Sequence, residues 1–372
     1  MDRRELNKMF DGLAPAPGRE KELLEKLLQD DVRRTRPMKN WRRIVVAVAA
    51  AALLVTAATA AVTSPQFSGA LGKLLEVEPE DARSAELLAP GAMAVDITTE
   101  SNGAALHITQ VLRTKMDIVV VGEFSTAEGT VLDTGDFGES CWTPDTFRGE
   151  FPTFLDENGE VMELNYVGSR SAFWWSMPDE DPLDNRCLVY YVYRGESEDL
   201  TEDIAAMRVD ARNFAYYVGG EHENYTTIPG DWSFDVPLPQ HDIGYACKTD
   251  ETVALEDGTK ASLHKVYLCP LALEVTYLWE DEPEDCVISQ AILTAKDGSS
   301  VALNWWSGGG GRKNDPTVVR FTIADYMAQN KRDDYIDPAD FQGGVLTLEW
   351  RLQDGKINSA TFSLEGLEPV SP

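Results

Sequence analysis

The residues of this 372-residue chain that could do chemistry are few, and their spacing matches no known machinery. The four histidines, His107, His222, His241 and His264, form neither an HxxxH nor an HExxH zinc-binding pair. His107 and His264 fall inside strand-like patterns and read as strand residues. No GxSxG elbow, SxxK pair or Walker loop occurs. The glycine run Gly308–Gly311 precedes Arg312-Lys313-Asn314, where a phosphate cradle would need Lys-Ser/Thr and a helix. Asp179-Glu180-Asp181, Glu280–Asp285 and Asp333-Asp334 offer oxygen donors suited to Ca²⁺, but none fits a DxDxDG loop, so they read as solvated acidic loops. Trp142, Trp174, Trp175, Trp305 and Trp306 could stack on sugars. Adjacent tryptophans on a strand point to opposite faces, which assigns one of each pair to a core. The expectation is a protein that is not an enzyme and holds no metal or cofactor.

A partition of charge is more informative. Residues 1–43 hold 12 of the 33 Lys+Arg and 8 of the 63 Asp+Glu, a net of +4, which leaves −34 on residues 44–372. Between the two lies Ile44–Val62, 19 residues without a charge. As a helix it would span roughly 29 Å, close to the thickness of a bilayer's hydrocarbon core. Arg33, Arg34, Arg36, Lys39, Arg42 and Arg43 crowd its amino-terminal side, and the next basic residue is Lys73. The positive-inside rule then places the N-terminus in the cytoplasm and the C-terminus outside the cell membrane. The small residues Ala58-Thr59-Ala60 also resemble a signal-peptidase site. A 43-residue basic segment is too long for an ordinary signal n-region, which favours an uncleaved signal-anchor.

Beyond the anchor the chain reads as β. Leu106–Leu112, Ile118–Phe124, Leu263–Leu268 and Leu271–Leu278 are apolar and β-branched runs. Turn pairs punctuate them at Asn102-Gly103, Asn158-Gly159, Asp257-Gly258, Asp297-Gly298 and Asp354-Gly355. Short helical interruptions are expected at Ile323–Asn330 and Asp199–Ala205. Cys141, Cys187, Cys247, Cys269 and Cys286 all lie on the outer side; disulfides and free buried thiols both remain open, and no pairing is assigned. The acidic balance excludes nucleic acid as a partner, because that recognition needs clustered Lys and Arg.

The β region matches itself. At an offset of 155, Gly103, Ile108, Val111, Met116, Ile118 and Val120 meet Gly258, Leu263, Val266, Leu271, Leu273 and Val275. At 139, Asn158-Gly159 meets Asp297-Gly298, Leu164-Asn165-Tyr166 meets Leu303-Asn304-Trp305, and Met207 and Val209 meet Leu346 and Leu348. At 128, Phe234 and Val236 meet Phe362 and Leu364. Each drop in offset marks a longer loop in the first copy, expected at the surface. The predicted architecture is mostly β: one transmembrane helix, then two tandem immunoglobulin-like β-sandwich domains over 93–238 and 245–367. Residues 63–92 form a stalk between anchor and first domain, and Pro237-Leu238-Pro239-Gln240 joins the two domains.

The basic head carries two apolar stripes at helical spacing. Leu6, Met9, Phe10 and Leu13 precede the breaker Pro15-Ala16-Pro17-Gly18, and Leu23, Leu24, Leu27, Leu28 and Val32 follow it. Forty-three residues cannot bury both stripes internally, so they lie on the inner leaflet or dock on a partner, unless the segment is only a frayed juxtamembrane tail. The opening RELNKMFDGLAPAPGREKELLEKLL, the Trp41-Arg42-Arg43 stop, the single anchor and the segment GAALHITQVLRTKMDIVVVGEF together resemble a group of Gram-positive single-pass membrane proteins. That group is anti-sigma-factor-like, with an uncharacterised ectodomain often followed by an immunoglobulin-like C-terminal domain. The resemblance implies a cytoplasmic segment that binds an extracytoplasmic-function sigma factor, with Leu6, Phe10, Leu13, Leu24, Leu27 and Leu28 as contact residues. It also implies an outer region that senses or binds an unknown extracellular ligand. The alternative is a cell-surface binding or adhesion module with no regulatory role.

Overall fold

The computed structural model describes residues 70–370 apart from 76, 78–80, 133–139, 145–150, 164–169, 178–180, 182–183, 196–202, 219–220, 256–257, 280–286, 309–315, 324–334 and 352–354. The chain divides into Met1–Ala52 and Leu53–Pro372, and every described residue belongs to the second unit. Among the described residues no helix is long and apolar enough to cross a membrane; the run Ile44–Val62 lies outside them. So do the head residues Leu6, Phe10, Leu13, Leu24, Leu27 and Leu28, the expected helix beyond Ile323, and most of Asp199–Ala205.

The body is mostly β, in several sheets. Two short helices come first, α1 (Ala70–Leu74) and α2 (Ala82–Leu88), then a single 3₁₀ turn (Ala89–Gly91). Asp81 caps α2 by accepting from the Ser84 amide at 3.0 Å, and these Ser84 hydrogen bonds hold its carboxyl below the usual range. The first lobe follows. Strands β1 (Ala92–Ser101), β2 (Ala104–Arg113), β3 (Asp117–Ser125), β6 (Arg170–Ser176) and β7 (Arg186–Gly195) form a five-stranded sheet in the order β1-β2-β3-β7-β6. Strands β5 (Thr153–Leu155), β8 (Ala206–Val209) and β11 (Phe234–Pro237) form a three-stranded sheet in the order β11-β8-β5. Residues of both sheets share one core, including Leu106, Ile118, Phe124 and Tyr191 from the first and Phe154, Met207 and Val236 from the second.

The second lobe has β12 (Tyr245–Ala254), β13 (Lys260–Cys269), β14 (Ala272–Trp279), β15 (Val287–Thr294), β16 (Ser300–Gly308), β17 (Thr317–Thr322), β18 (Val345–Arg351), β19 (Ile357–Ser363) and the short β20 (Glu368–Pro369). They join in the order β19-β18-β15-β16-β17-β14-β13-β12-β20. Strand β16 makes the corner: Ser300–Asn304 pair with β15, and Trp305–Gly308 pair with β17. The sheet folds over a core that holds Leu263, Val275, Leu293, Leu303, Phe321, Leu346 and Trp350.

Strand order and register coincide between the lobes. β12-β13-β14-β17-β16 follows the order of β1-β2-β3-β7-β6, and β19-β18-β15 that of β11-β8-β5. Val111 pairs with Val120 as Val266 pairs with Val275, and both ladders slip at the same place, between Ile108/Gln110 and between Leu263/Lys265. Thr153 pairs with Arg208 as Ile292 pairs with Thr347. Gly103 and Gly258 turn with φ of 79° and 88°, and Gly159 and Gly298 with 76° and 90°, backbone that favours glycine. The last strand sits two residues from the sequence alignment. Val236 pairs with Met207, whereas Phe362 pairs with Leu346, so Phe362 rather than Leu364 is the counterpart of Val236. A two-residue slip keeps every side chain on its face, so alternation cannot detect it.

The longer loops of the first lobe are not surface loops. They contain β4 (Ser140–Pro144), β9 (Arg212–Val218) and β10 (Glu221–Asp231), which pair with one another in the order β10-β9-β4. This added sheet packs aromatics onto the lobe core: Phe214 stacks on Phe124 with ring centroids 3.9 Å apart, and the Trp232 indole donates to the Ala104 carbonyl at 3.1 Å. Burial of these rings stabilises the lobe by about 1.5–3 kcal/mol each.

Candidate functional site

Strands β3 and β14 are buried on both faces, which explains their nearly unbroken apolar sequences. Ile118, Val120 and Phe124 enter the first lobe's core, and Leu273 and Val275 the second's. The opposite faces meet in a third cluster. It unites Leu112, Met116, Val119, Val121, Tyr190 and Val192 of the first lobe with Tyr267, Cys269, Leu271 and Ala272 of the second. Strand alternation also sends Trp174 into the first lobe's core, while its neighbour Trp175, half-buried, packs against this seam. Trp142 is buried too, and the side chains of Trp305 and Trp306 lie outside the described residues.

The expected stalk is part of the seam. Leu71, Leu74, Leu75 and Leu88 belong to the same cluster as both lobes. The Leu71 amide donates to buried Gln110 Oε1 at 3.0 Å, and the Tyr335 hydroxyl donates to the Leu75 carbonyl. Arg83 and Asp340 add an exposed ion pair at 2.9 Å, worth about 0–1 kcal/mol. The described residues of 70–91 are therefore a strap held by both lobes. The physical reason is the spacing of Leu71, Leu74 and Leu75, which gives even one helical turn an apolar face to bury.

Charge lies inside the seam as well. Asp117 opens β3 between two arginines. Arg194 of β7 places Nε 3.6 Å from its Oδ1, and Arg320 of the second lobe donates Nη2 to its Oδ2. The three side chains are 1%, 4% and 3% exposed, and buried Glu274 is the ladder partner of Arg320. Ions removed from water cost several kcal/mol each unless paired, so this cluster makes the seam depend on every member. Arg113 ties the first lobe to the connector by donating to the Ile204 and Pro239 carbonyls at 3.2 and 3.0 Å.

Tyr267 completes the joint. Its hydroxyl donates to Asp242 Oδ1 at 2.6 Å and accepts from the Lys115 amide at 3.1 Å; burial holds the phenol well above its ordinary range, so it stays neutral. Cys269 beside it is a free thiol pushed up by burial to about 12, and Cys247, also free, is raised for the same reason. The Tyr267 ring lies on Gly244, where an added Cβ would stand 2.3 Å from ring carbon Cε2. Gly244→Ala should therefore destabilise the body by about 1–3 kcal/mol. Thermal melting tests this, and a melting curve that overlays the wild type would show that the ring has room to move.

The residues singled out in the sequence lie elsewhere. His107 pairs with Asp96 at 2.9 Å and His264 with Asp250 at 3.4 Å, both on exposed strand surface, and the two aspartates occupy equivalent bulges in β1 and β12. Asp181 is the one described member of the three acidic runs, and Gly309–Gly311 lie outside the described residues. The seam itself escaped sequence reading, which took Ile118–Phe124 and Leu271–Leu278 only as apolar, β-branched runs.

No family model matches this chain, and no curated protein matches it. One solved structure, described as the crystal structure of the conserved domain protein from Bacillus anthracis, is similar over 74% of this chain and 92% of its own, at 13% identity and a TM-score of 0.39.

Proposed function

We propose that this chain is a single-pass envelope regulator of the anti-sigma-factor-like kind. A head inside the cell binds an extracytoplasmic-function sigma factor, Ile44–Val62 spans the membrane, and a two-lobed body outside senses or binds a ligand. In this reading the lobes are immunoglobulin-like β-sandwiches copied from one ancestral unit, supported by their shared strand order, register and bulge. The observation that carries the regulatory reading is the strap. It starts at Ala70, eight residues after Val62, and is gripped by both lobes. An adhesion module needs only a spacer at that position, whereas a sensor needs its outer body coupled to its membrane segment. A change at the seam alters the hold on the strap, and through it the anchor.

Inside, Leu6, Phe10, Leu13, Leu24, Leu27 and Leu28 supply the apolar face for the sigma factor, each worth about 1.5–3 kcal/mol if fully buried. The full chain in lipid vesicles should capture a sigma factor encoded beside it, and Leu24→Asp with Leu27→Asp should abolish capture and raise transcription of that operon. Capture and transcription both unchanged by the double substitution would leave the adhesion reading in its place.

A further inference from the structure

The strap is held differently from the lobes that grip it. Among its described residues none joins a strand ladder. Its grip is a series of separate points. Leu71 comes first, with its amide on Gln110, then Leu74 and Leu75, whose carbonyl takes the Tyr335 hydroxyl. Arg83 on Asp340 follows, and Leu88 is last. Strand β1 begins directly behind the strap and runs against β2, from Ala92 opposite Leu112 to Ser101 opposite Ala104. Strand β2 is paired in turn with β3, from Leu112 opposite Val119 to Ala105 opposite Ser125. Leu112 and Val119 belong to the seam, so Ala92 stands at the seam end of this sheet and Ser125 at its far end.

We propose that residues 70–91 are a mechanical fuse: a pull between the membrane and the body strips them from the seam while both lobes stay folded. The inference rests on the reading of Ile44–Val62 as an anchor, and it names force as the signal. The strap lies between Val62 and β1 in the chain, so a body held from outside and drawn away from the membrane loads it. Such a pull meets Leu71 before Leu74, Leu75, Arg83 and Leu88. Each point bears the load by itself until it gives, because no ladder shares it. The pull then reaches Ala92. In a body held at the far end of the sheet it runs along β1, across ladder hydrogen bonds that stand perpendicular to the strand and must fail together. The weaker arrangement comes first in the path. Release frees 22 residues, about 70–80 Å of extended chain. The freed segment stays tethered beside the emptied seam and reseats when the load falls.

The test pulls the full chain, held in a lipid nanodisc, with optical tweezers. Peptide tags inserted after Ser64 and after Glu128, in the exposed turn beyond β3, carry the handles. The expected trace shows a first, reversible gain of about 70–80 Å in contour length, and only at higher force a second of about 120–130 Å from residues 92–128. Under constant load, Leu71→Ala should shorten the life of the first state at least about tenfold. Tyr335→Phe, a milder change, should shorten it several-fold, and both should leave the second event unchanged. A single rupture of about 190–210 Å, or the larger gain first, overturns the fuse. So does a first event that neither substitution moves. Sigma-factor capture is read on unpulled vesicles, so loss of the fuse would leave the regulatory reading standing, and loss of capture would leave the fuse.

Discussion

Asp117→Asn should bring about a large loss of stability. The substitution keeps the shape of the side chain and removes the carboxylate that Arg194 and Arg320 share; their side chains are 4% and 3% exposed. Two buried cations then lose the anion common to both. Breaking a buried ionic cluster in this way costs about 3–5 kcal/mol. At roughly 2–4 °C per kcal/mol for a body of this size, melting should fall on the order of 10 °C. The cost belongs to the orphaned charges and not to lost attraction alone, which gives a second arm. Combining Asp117→Leu, Arg194→Leu and Arg320→Met with Glu274→Leu, since Glu274 is the buried ladder partner of Arg320, removes all four charges and should recover most of the stability. A single variant melting within about 2 °C of wild type, or a combined variant worse than the single, would show that the cluster does not hold the seam.

The second large effect is expected at the strap. Leu71→Asp with Leu74→Asp puts two carboxylates at positions that are 0% and 4% exposed. Each loses a leucine's burial, about 2–5 kcal/mol, before any charge is desolvated. Leaving the seam is cheaper for the strap than staying charged within it. The two lobe cores contain no strap residue, so they should remain folded. The expected outcome is a body with native far-ultraviolet circular dichroism whose residues 70–91 are cut by protease at least tenfold faster than in wild type. Under the proposed regulatory reading, the same variant in cells should behave as if the signal were present. Unchanged cleavage would mean that the strap does not depend on these leucines, and a globally unfolded body would mean that the lobes cannot stand without it.

How far the sequence carried depended on what each pattern reports. Alternation and turn pairs located the strands around Leu106–Leu112 and Leu263–Leu268, and constant offsets anticipated equal registers because register follows from which face is apolar. The final strand escaped by two residues, a shift that leaves the apolar face unchanged. The extra residues of the first lobe read as loops, since β4, β9 and β10 become a sheet only by pairing with each other across the intervening chain.

Local patterning thus determined the β content, the turns with positive φ at Gly103, Gly159, Gly258 and Gly298, and the separation of a basic head from an acidic remainder by an uncharged run. These depend on neighbours within a few residues, which a linear sequence displays directly. Tertiary structure alone decided that residues 70–91 are a strap and that the lobes share a seam. A strand buried on both faces announces a second neighbour without naming it. Asp117 and Arg320 are 203 residues apart, and aspartate and arginine read by default as surface residues. Their burial becomes affordable only when partners from distant strands arrive together, and only the folded chain brings them there.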